Sequence, residues 1–252
     1  MVTESTQTRN EKEVVVIPTF RRPELLALCL EKLAQSRDCP EVLICADHGS
    51  NMDDIEYCRD TRLPFAHILE AKPHVSVPSG TWNILNAINE GGKVADEVYL
   101  VEEDVMVFPG FFEGHSLNNS DVSCGRRVPR YEWYTNPGTC FRRPLLDVLA
   151  PHVCDEYFAD TAAYCKKHFR QMEFSSTLDD GLIRRVIANH RLTFSFPDKP
   201  LCAHQGIHGL GNMDIYQIKG STLEERIESV RKILADPPNK NRYAKEWEEY
   251  RP

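Results

Sequence analysis

Residues 102–104 of this 252-residue chain are Glu102, Glu103 and Asp104, three adjoining carboxylates between the apolar stretches 98–101 (VYLV) and 105–112 (VMVFPGFF). Burying one unpaired charge is costly, and three together repel one another unless a cation or solvent relieves them. Carboxylate oxygens at a strand's exit are hard ligands for Mg2+ or Mn2+, ions that commonly arrive with substrate phosphates. The cluster therefore has two readings: a metal site in an enzyme using a phosphorylated donor, or a solvated junction of strand and loop. In the first, Asp104 ligates the ion and Glu102 faces the ribose or the nucleotide. Successive side chains alternate along an extended backbone, so Glu103 points the other way, toward donor sugar or structure.

Three more groups could join that chemistry. Pro18, Thr19, Phe20, Arg21, Arg22 and Pro23 end one apolar run, and Asp47, His48, Gly49 and Ser50 end another. A backbone turning sharply after a strand offers N–H groups to a nucleotide, and an aspartate there can accept from a base N–H or a ribose hydroxyl. Ordinary turn chemistry uses the same residue types. Asp179 and Asp180 stand ahead of a helical pattern. One can cap the helix while the other serves as general base, or both can serve the helix end alone. Cys202, His204 and His208 lie in a stretch containing Gly206 and Gly209. A histidine there is either a metal ligand from a loop or a residue that packs and hydrogen-bonds; a zinc site from all three would lack a fourth ligand.

The elements that must position these residues follow from apolar periodicity. Residues 13–20 (EVVVIPTF), 41–46 (EVLICA), 64–69 (PFAHIL) and 97–101 read as strands. Pro23 opens a helix with Leu26, Leu30 and Leu33 at helical spacing, and residues 80–90 form another that Gly91 and Gly92 should stop. Later helices are expected at 144–149, 157–169, 181–189 and 221–234, the last opened by a capping box, with a strand at 192–196. Strand and helix alternate through the first ~110 residues, the pattern of a doubly wound α/β sheet whose ligands sit beyond the carboxyl ends of the strands. Asp47 and the acidic cluster both fall there. One domain is expected over 13–252: a nucleotide-binding half (13–110), an acceptor half (111–220) and a C-terminal helical segment (221–252), after a disordered tail at 1–12.

A net charge of -8 argues against binding nucleic acid through a general basic surface. Arg126, Arg127 and Arg130, and Arg142 with Arg143, still form local patches suited to an anionic acceptor, and the aromatic run at 131–134 (YEWY) is a further acceptor surface. The tryptophans read as packing. Nine cysteines without a CxxC pair suit reduced thiols, and with no apolar leader or membrane-length run the expectation is a cytoplasmic protein.

In order and spacing these pieces resemble the GT-A class of glycosyltransferases over roughly residues 13–210. VVVIPTFRRPELLALCLEKL is similar to the opening strand and helix of inverting family-two-type enzymes. ICADHGS resembles their Asp-Asp-Gly-Ser segment, with His48 in place of the second Asp. VYLVEEDVMVFPGFF resembles the Asp-X-Asp region, closest to the Glu-Asp-Asp form of N-acetylglucosaminyltransferase I-like enzymes. TLDDGLIRRV resembles their catalytic acidic pair, and the 204–208 stretch a late metal-binding histidine. Glu stands where the first Asp of Asp-X-Asp would be, and the aromatics that often flank the catalytic pair are absent. The resemblance implies a single GT-A (Rossmann-like) domain, a nucleotide-diphosphate sugar donor and Mn2+ or Mg2+. It implies transfer with inversion to an acceptor hydroxyl on a glycan, protein, small molecule or hydroxylated DNA base. Asp104, with His208, would hold the metal. Asp180, or failing that Asp179, would be the base. Asp47 would hold the nucleotide base, and Thr19 and Arg21 would line its pocket. A nucleotidyltransferase of similar fold and an inactive nucleotide-sugar-binding module are the alternatives.

Overall fold

The structure, a computed structural model, describes residues 12–71, 79–127, 134, 136–170, 176–205 and 218–235. The first apolar run forms β1 (Glu13–Thr19), followed by α1 (Pro23–Ala34), β2 (Glu41–Ala46), α2 (Met52–Arg62), β3 (His67–Glu70), α3 (Ser79–Val94) and β4 (Glu97–Leu100). Then come β5 (Val105–Val107), α4 (Phe111–Ser116), β6 (Val122–Ser123), β7 (Thr139–Arg142), α5 (Arg143–Leu149), α6 (Asp155–Ala159), α7 (Thr161–His168) and α8 (Asp179–His190). The last described elements are β8 (Phe194–Ser195), β9 (Cys202–His204) and α9 (Leu223–Ala235).

Seven strands form one sheet in the order β3-β2-β1-β4-β7-β6-β8, and β5 pairs with β9 in a separate two-stranded ribbon. β3, β2, β1 and β4 are mutually parallel; β7 alone runs against its neighbours β4 and β6. Side chains alternate across the sheet, so Val15 and Ile17 enter one apolar core with α1, α2 and α9. Val14 and Val16 enter another with α3, α5 and α8. The chain leaves β1 in one direction to β2 and β3 and returns on its other side as β4. The carboxyl ends of β1 and β4 thus flank a topological switch point, where open α/β sheets bind ligands.

Several expectations change, among them the third strand, which pairs over His67–Glu70 and not from Pro64. α2 has no counterpart in the apolar pattern, because Ile55 and Cys58 are its only buried residues. Gly91 and Gly92 lie inside α3 and do not end it. A Cβ on Gly91 would meet Val16 Cγ1 at 2.8 Å and Val98 Cγ1 at 3.0 Å, so the glycine lets the helix press onto β1 and β4. The helix expected over 157–169 breaks into α6 and α7 at Asp160, whose side chain caps α7 by accepting from Ala163 N. Neither Asp179 nor Asp180 caps α8: Leu178 holds that position and both aspartates sit in the first turn.

The capping box of α9 forms, with Glu225 N donating to Thr222 Oγ1 at 3.2 Å and Thr222 N to Glu225 Oε2 at 3.3 Å. All nine cysteines are free. Among the described residues no helix is long and apolar enough to cross a membrane.

Candidate active site

The site begins where β1 and β2 end. Main-chain groups of Val16 turn toward β4 (Val101 N donates to Val16 O), and those of Thr19 toward β2 (Asp47 N donates to Thr19 O). Pro18, with no N–H, therefore faces the β4 side just past the last β1–β4 pair, Val16 with Leu100, where no ladder bond is due. Thr19 and Asp47 are both buried. Asn83 of α3 ties the two strand ends together, its amide donating to Thr19 O at 3.3 Å and Cys45 O at 3.0 Å. Asp47 Oδ1 accepts from His48 N at 2.8 Å. Arg21 has φ +56°, and its Nε donates to Gly49 O at 3.3 Å, joining the two loops. Thr19, Arg21, Arg22, Gly49, Ser50 and Arg226 help line a cavity of about 430 Å³, within the size range of small-molecule sites.

The acidic cluster follows β4, and the structure answers its charge with one cation. Arg22 Nε and Nη2 both reach Glu103 Oε1 at 2.7 Å, and Nη1 reaches Asp104 Oδ2 at 3.1 Å. Phe20 N adds a long bond to Glu103 Oε1 at 3.4 Å. The two acids are almost wholly buried, with side chains 4% exposed. The solvated-junction reading is therefore wrong for Glu103 and Asp104. Burial raises the Glu103 carboxyl to about 7 while Arg22 pulls it back. Burial and then Asp104 push Glu102 well above the ordinary carboxylate range. Arg22→Met keeps the apolar stem and deletes the charge. It should cost about 3–5 kcal/mol in urea denaturation at neutral pH, as removing one partner of a buried ion pair does. A loss below about 1 kcal/mol, the scale of a surface pair, would show the acids relieved by something else.

The β5–β9 ribbon pairs Val105 with His204. It brings His204 Nε2 to 3.4 Å from Asp104 Oδ1, while Gln205 N donates to Asp104 O at 2.7 Å. Asp104 Oδ1 is buried and, among the described residues, accepts no hydrogen bond. This oxygen lies apart from the one Arg22 engages, and a carboxylate oxygen beside an imidazole nitrogen suits a divalent ion. Among the described residues no group of three or more His, Cys, Asp or Glu is arranged to hold a metal. The pair fits an ion that takes its other ligands from phosphate and water, as Mg2+ sites usually do. His208 lies outside the described residues. Cys202 packs in the core with its thiol 3.5 Å from Pro137 O, and burial pushes it up to about 12.

Asp179 and Asp180 stand at the opening of α8 in different surroundings. Asp179 accepts from Thr81 Oγ1 at 3.0 Å and Asn136 Nδ2 at 2.7 Å. Burial, then Asp180, raises its carboxyl above the usual range. Asp180 accepts from Ser176 Oγ at 2.8 Å and lies 3.9 Å from Arg184. Asp179 is among the groups whose charge raises Glu102.

One expected patch is not an acceptor surface. Arg142 Nε bonds buried Glu97 at 2.8 Å and its Nη2 bonds His115 O at 3.0 Å. Arg143 bonds Asp96 at 3.1 Å and Gly92 O at 2.9 Å. Both work at the amino end of β4, away from the site. Arg127 remains exposed and Arg126 is buried near Cys202; Arg130 and residues 131–133 lie outside the described residues. The sequence places Arg22 in the loop after β1 without its acidic partners, and gives no role to Thr81, Asn83 or Asn136. Thr81 and Asn83 are two of several polar residues in α3, so only their burial sets them apart.

No protein-family model matches the sequence, and no curated protein matches it. Solved structures do resemble it. The mannosyltransferase PcManGT from Pyrobaculum calidifontis, in complex with GDP-Man and Mn2+, is 12% identical over 96% of this chain and 70% of its own, with a TM-score of 0.52. The glycosyltransferase GlyE of Streptococcus pneumoniae TIGR4 is 10% identical over 95% of this chain and 64% of its own, at 0.51. S. aureus TarS 1-349 is 17% identical over 91% and 66%, at 0.47. The chain thus spans just under two thirds of GlyE and of the TarS fragment. The first two similarities establish the fold as that of GT-A glycosyltransferases.

Proposed function

We propose that the chain is a metal-dependent glycosyltransferase moving a sugar, with inversion, from a nucleoside-diphosphate sugar to an acceptor hydroxyl. One observation carries this reading: a buried acidic cluster at the switch point of the sheet, with a second acidic group, Asp179, within electrostatic reach of it. A glycosyl transfer needs both, one to manage a diphosphate and one to take a proton. The fold shared with a mannosyltransferase solved with GDP-Man and Mn2+ supports the donor class and the ion.

In this reading Asp47 accepts from the nucleotide base, Glu102 from the ribose, and Thr19 and Arg21 line the nucleotide pocket beside Pro18. Glu103 acts through Arg22, holding that guanidinium against Asp104. Mn2+ or Mg2+ would be held by Asp104 with His204, the histidine beside it, or with His208. Bound there, it supplies positive charge to the diphosphate leaving group. An aspartate of the α8 pair removes the acceptor hydroxyl's proton as its oxygen bonds the anomeric carbon and the carbon–phosphate-oxygen bond breaks. Asp179 suits this role: it is held by Thr81 and Asn136, and burial and Asp180 raise its carboxyl above the usual range, while Asp180 is engaged by Ser176 and lies beside Arg184. The acceptor is a hydroxyl compound bound between α8 and the cluster. Free thiols throughout suit a reducing compartment, the cytoplasm.

A thermal-shift panel of UDP- and GDP-sugars with Mn2+ tests the donor class. Stabilisation by one nucleotide sugar well above that by Mn2+ alone is expected. A flat response to every donor would refute the reading.

A further inference from the structure

Asp179 is gripped from both sides by side chains that the proposed chemistry does not otherwise use. Thr81, buried on α3, donates to Oδ1, and Asn136, in the segment before β7, donates to Oδ2. An amide can present either its oxygen or its nitrogen, and here the choice is made by a third residue. The Tyr134 hydroxyl donates to Asn136 Oδ1, leaving Nδ2 to face the carboxylate. Tyr134 is itself 1% exposed and packs against Phe141, with ring centroids 5.7 Å apart. Its backbone oxygen accepts from Arg184 Nη2 at 3.3 Å, one turn along α8 from Asp180. Burial keeps its hydroxyl protonated, so it remains a donor.

We propose that Asn136, aimed by Tyr134, is a positioning residue: with Thr81 it fixes the plane of the Asp179 carboxylate and leaves the outward lone pairs for an acceptor hydroxyl. The role as positioner of a base rests on the Asp179 reading above. The need is electrostatic. Asp180 beside it on α8 repels a charged Asp179, and burial disfavours the charge further. Without two fixed donors it would turn away from Asp180 or stay protonated, and in neither state could it take a proton. Donors to a carboxylate stabilise its charged form. Each Asp179 oxygen has two acceptor sites and the grip uses one of each.

The test is a 13C NMR titration of the full chain labelled at aspartate Cγ, with the Asp179 resonance identified by its loss in Asp179→Asn. Asn136→Ala should raise the Asp179 midpoint by about 1 pH unit, the scale of one hydrogen bond to a charged group. Tyr134→Phe, which keeps the ring in its packing, should shift it in the same direction by less. It decides the matter alone if Asn136→Ala does not fold. An unmoved midpoint in the folded variants overturns the proposal. The titration does not depend on sugar transfer: a shifted midpoint in a chain whose Asp179→Asn variant turns over normally upholds the grip and removes only the base assignment.

Discussion

Asp104→Asn is expected to abolish the effect of Mn2+ on donor binding and to lower turnover by about 100-fold or more, the scale of losing one preorganised charge at a leaving group. The substitution keeps size and shape and deletes the charge that would hold the ion. It also weakens the contact of Arg22 Nη1 with this side chain and leaves Glu103 as the main anionic partner of Arg22. Apparent donor affinity in the variant should be the same with Mn2+ as with EDTA. A variant whose affinity still rises with Mn2+ would move the metal elsewhere. His204→Ala should weaken the Mn2+ response in the same assay, because His204 Nε2 stands 3.4 Å from the oxygen of Asp104 that Arg22 does not engage. If His208→Ala weakens it and His204→Ala does not, the ligand comes from the later position.

Asp179→Asn should leave donor affinity near wild type and lower turnover by about 10²–10⁴-fold, the range for a lost general base. An asparagine can still accept from Thr81 through its oxygen, so the local fold should persist. Asp180→Asn should cost far less, since Asp180 is already engaged by Ser176 and lies beside Arg184. The opposite ranking would make Asp180 the base. The pH dependence follows from direction alone. Burial and Asp180 raise the Asp179 carboxyl in the folded chain, so it holds its proton above the ordinary aspartate range. Turnover should fall on the acid side as Asp179 becomes protonated, with a midpoint above that range. Asp180→Asn removes a repelling neighbour and should move that midpoint down.

Much of the frame was legible because β1, β2 and β4 are short runs of apolar residues bounded by polar turns. Their carboxyl ends could be placed to within a residue, and with them Thr19, Asp47 and the acidic cluster. β3 was misplaced because Pro64 and Phe65 look strand-like while the paired residues are His67–Glu70, an edge strand with little buried surface. The site's electrostatics were less legible. Arg22 meets Glu103 and Asp104 only because β1 and β4 are neighbours, and no local pattern signals a partner 81 residues away. His204 reaches Asp104 through a ribbon of three-residue strands, too short for periodicity to register. Asn136 was equally hidden, because its role depends on Tyr134, which the sequence suggests for an acceptor surface and the structure buries.

The central claim is that a nucleotide sugar reacts at the acidic cluster with the help of a divalent ion. The most direct measurement is nucleoside diphosphate released from a panel of UDP- and GDP-sugars by the full chain in Mn2+, and again with EDTA in excess. Release from one donor class that stops with EDTA and is lost in Asp104→Asn is the expected result. No release from any donor, or release indifferent to both EDTA and Asp104→Asn, would contradict it.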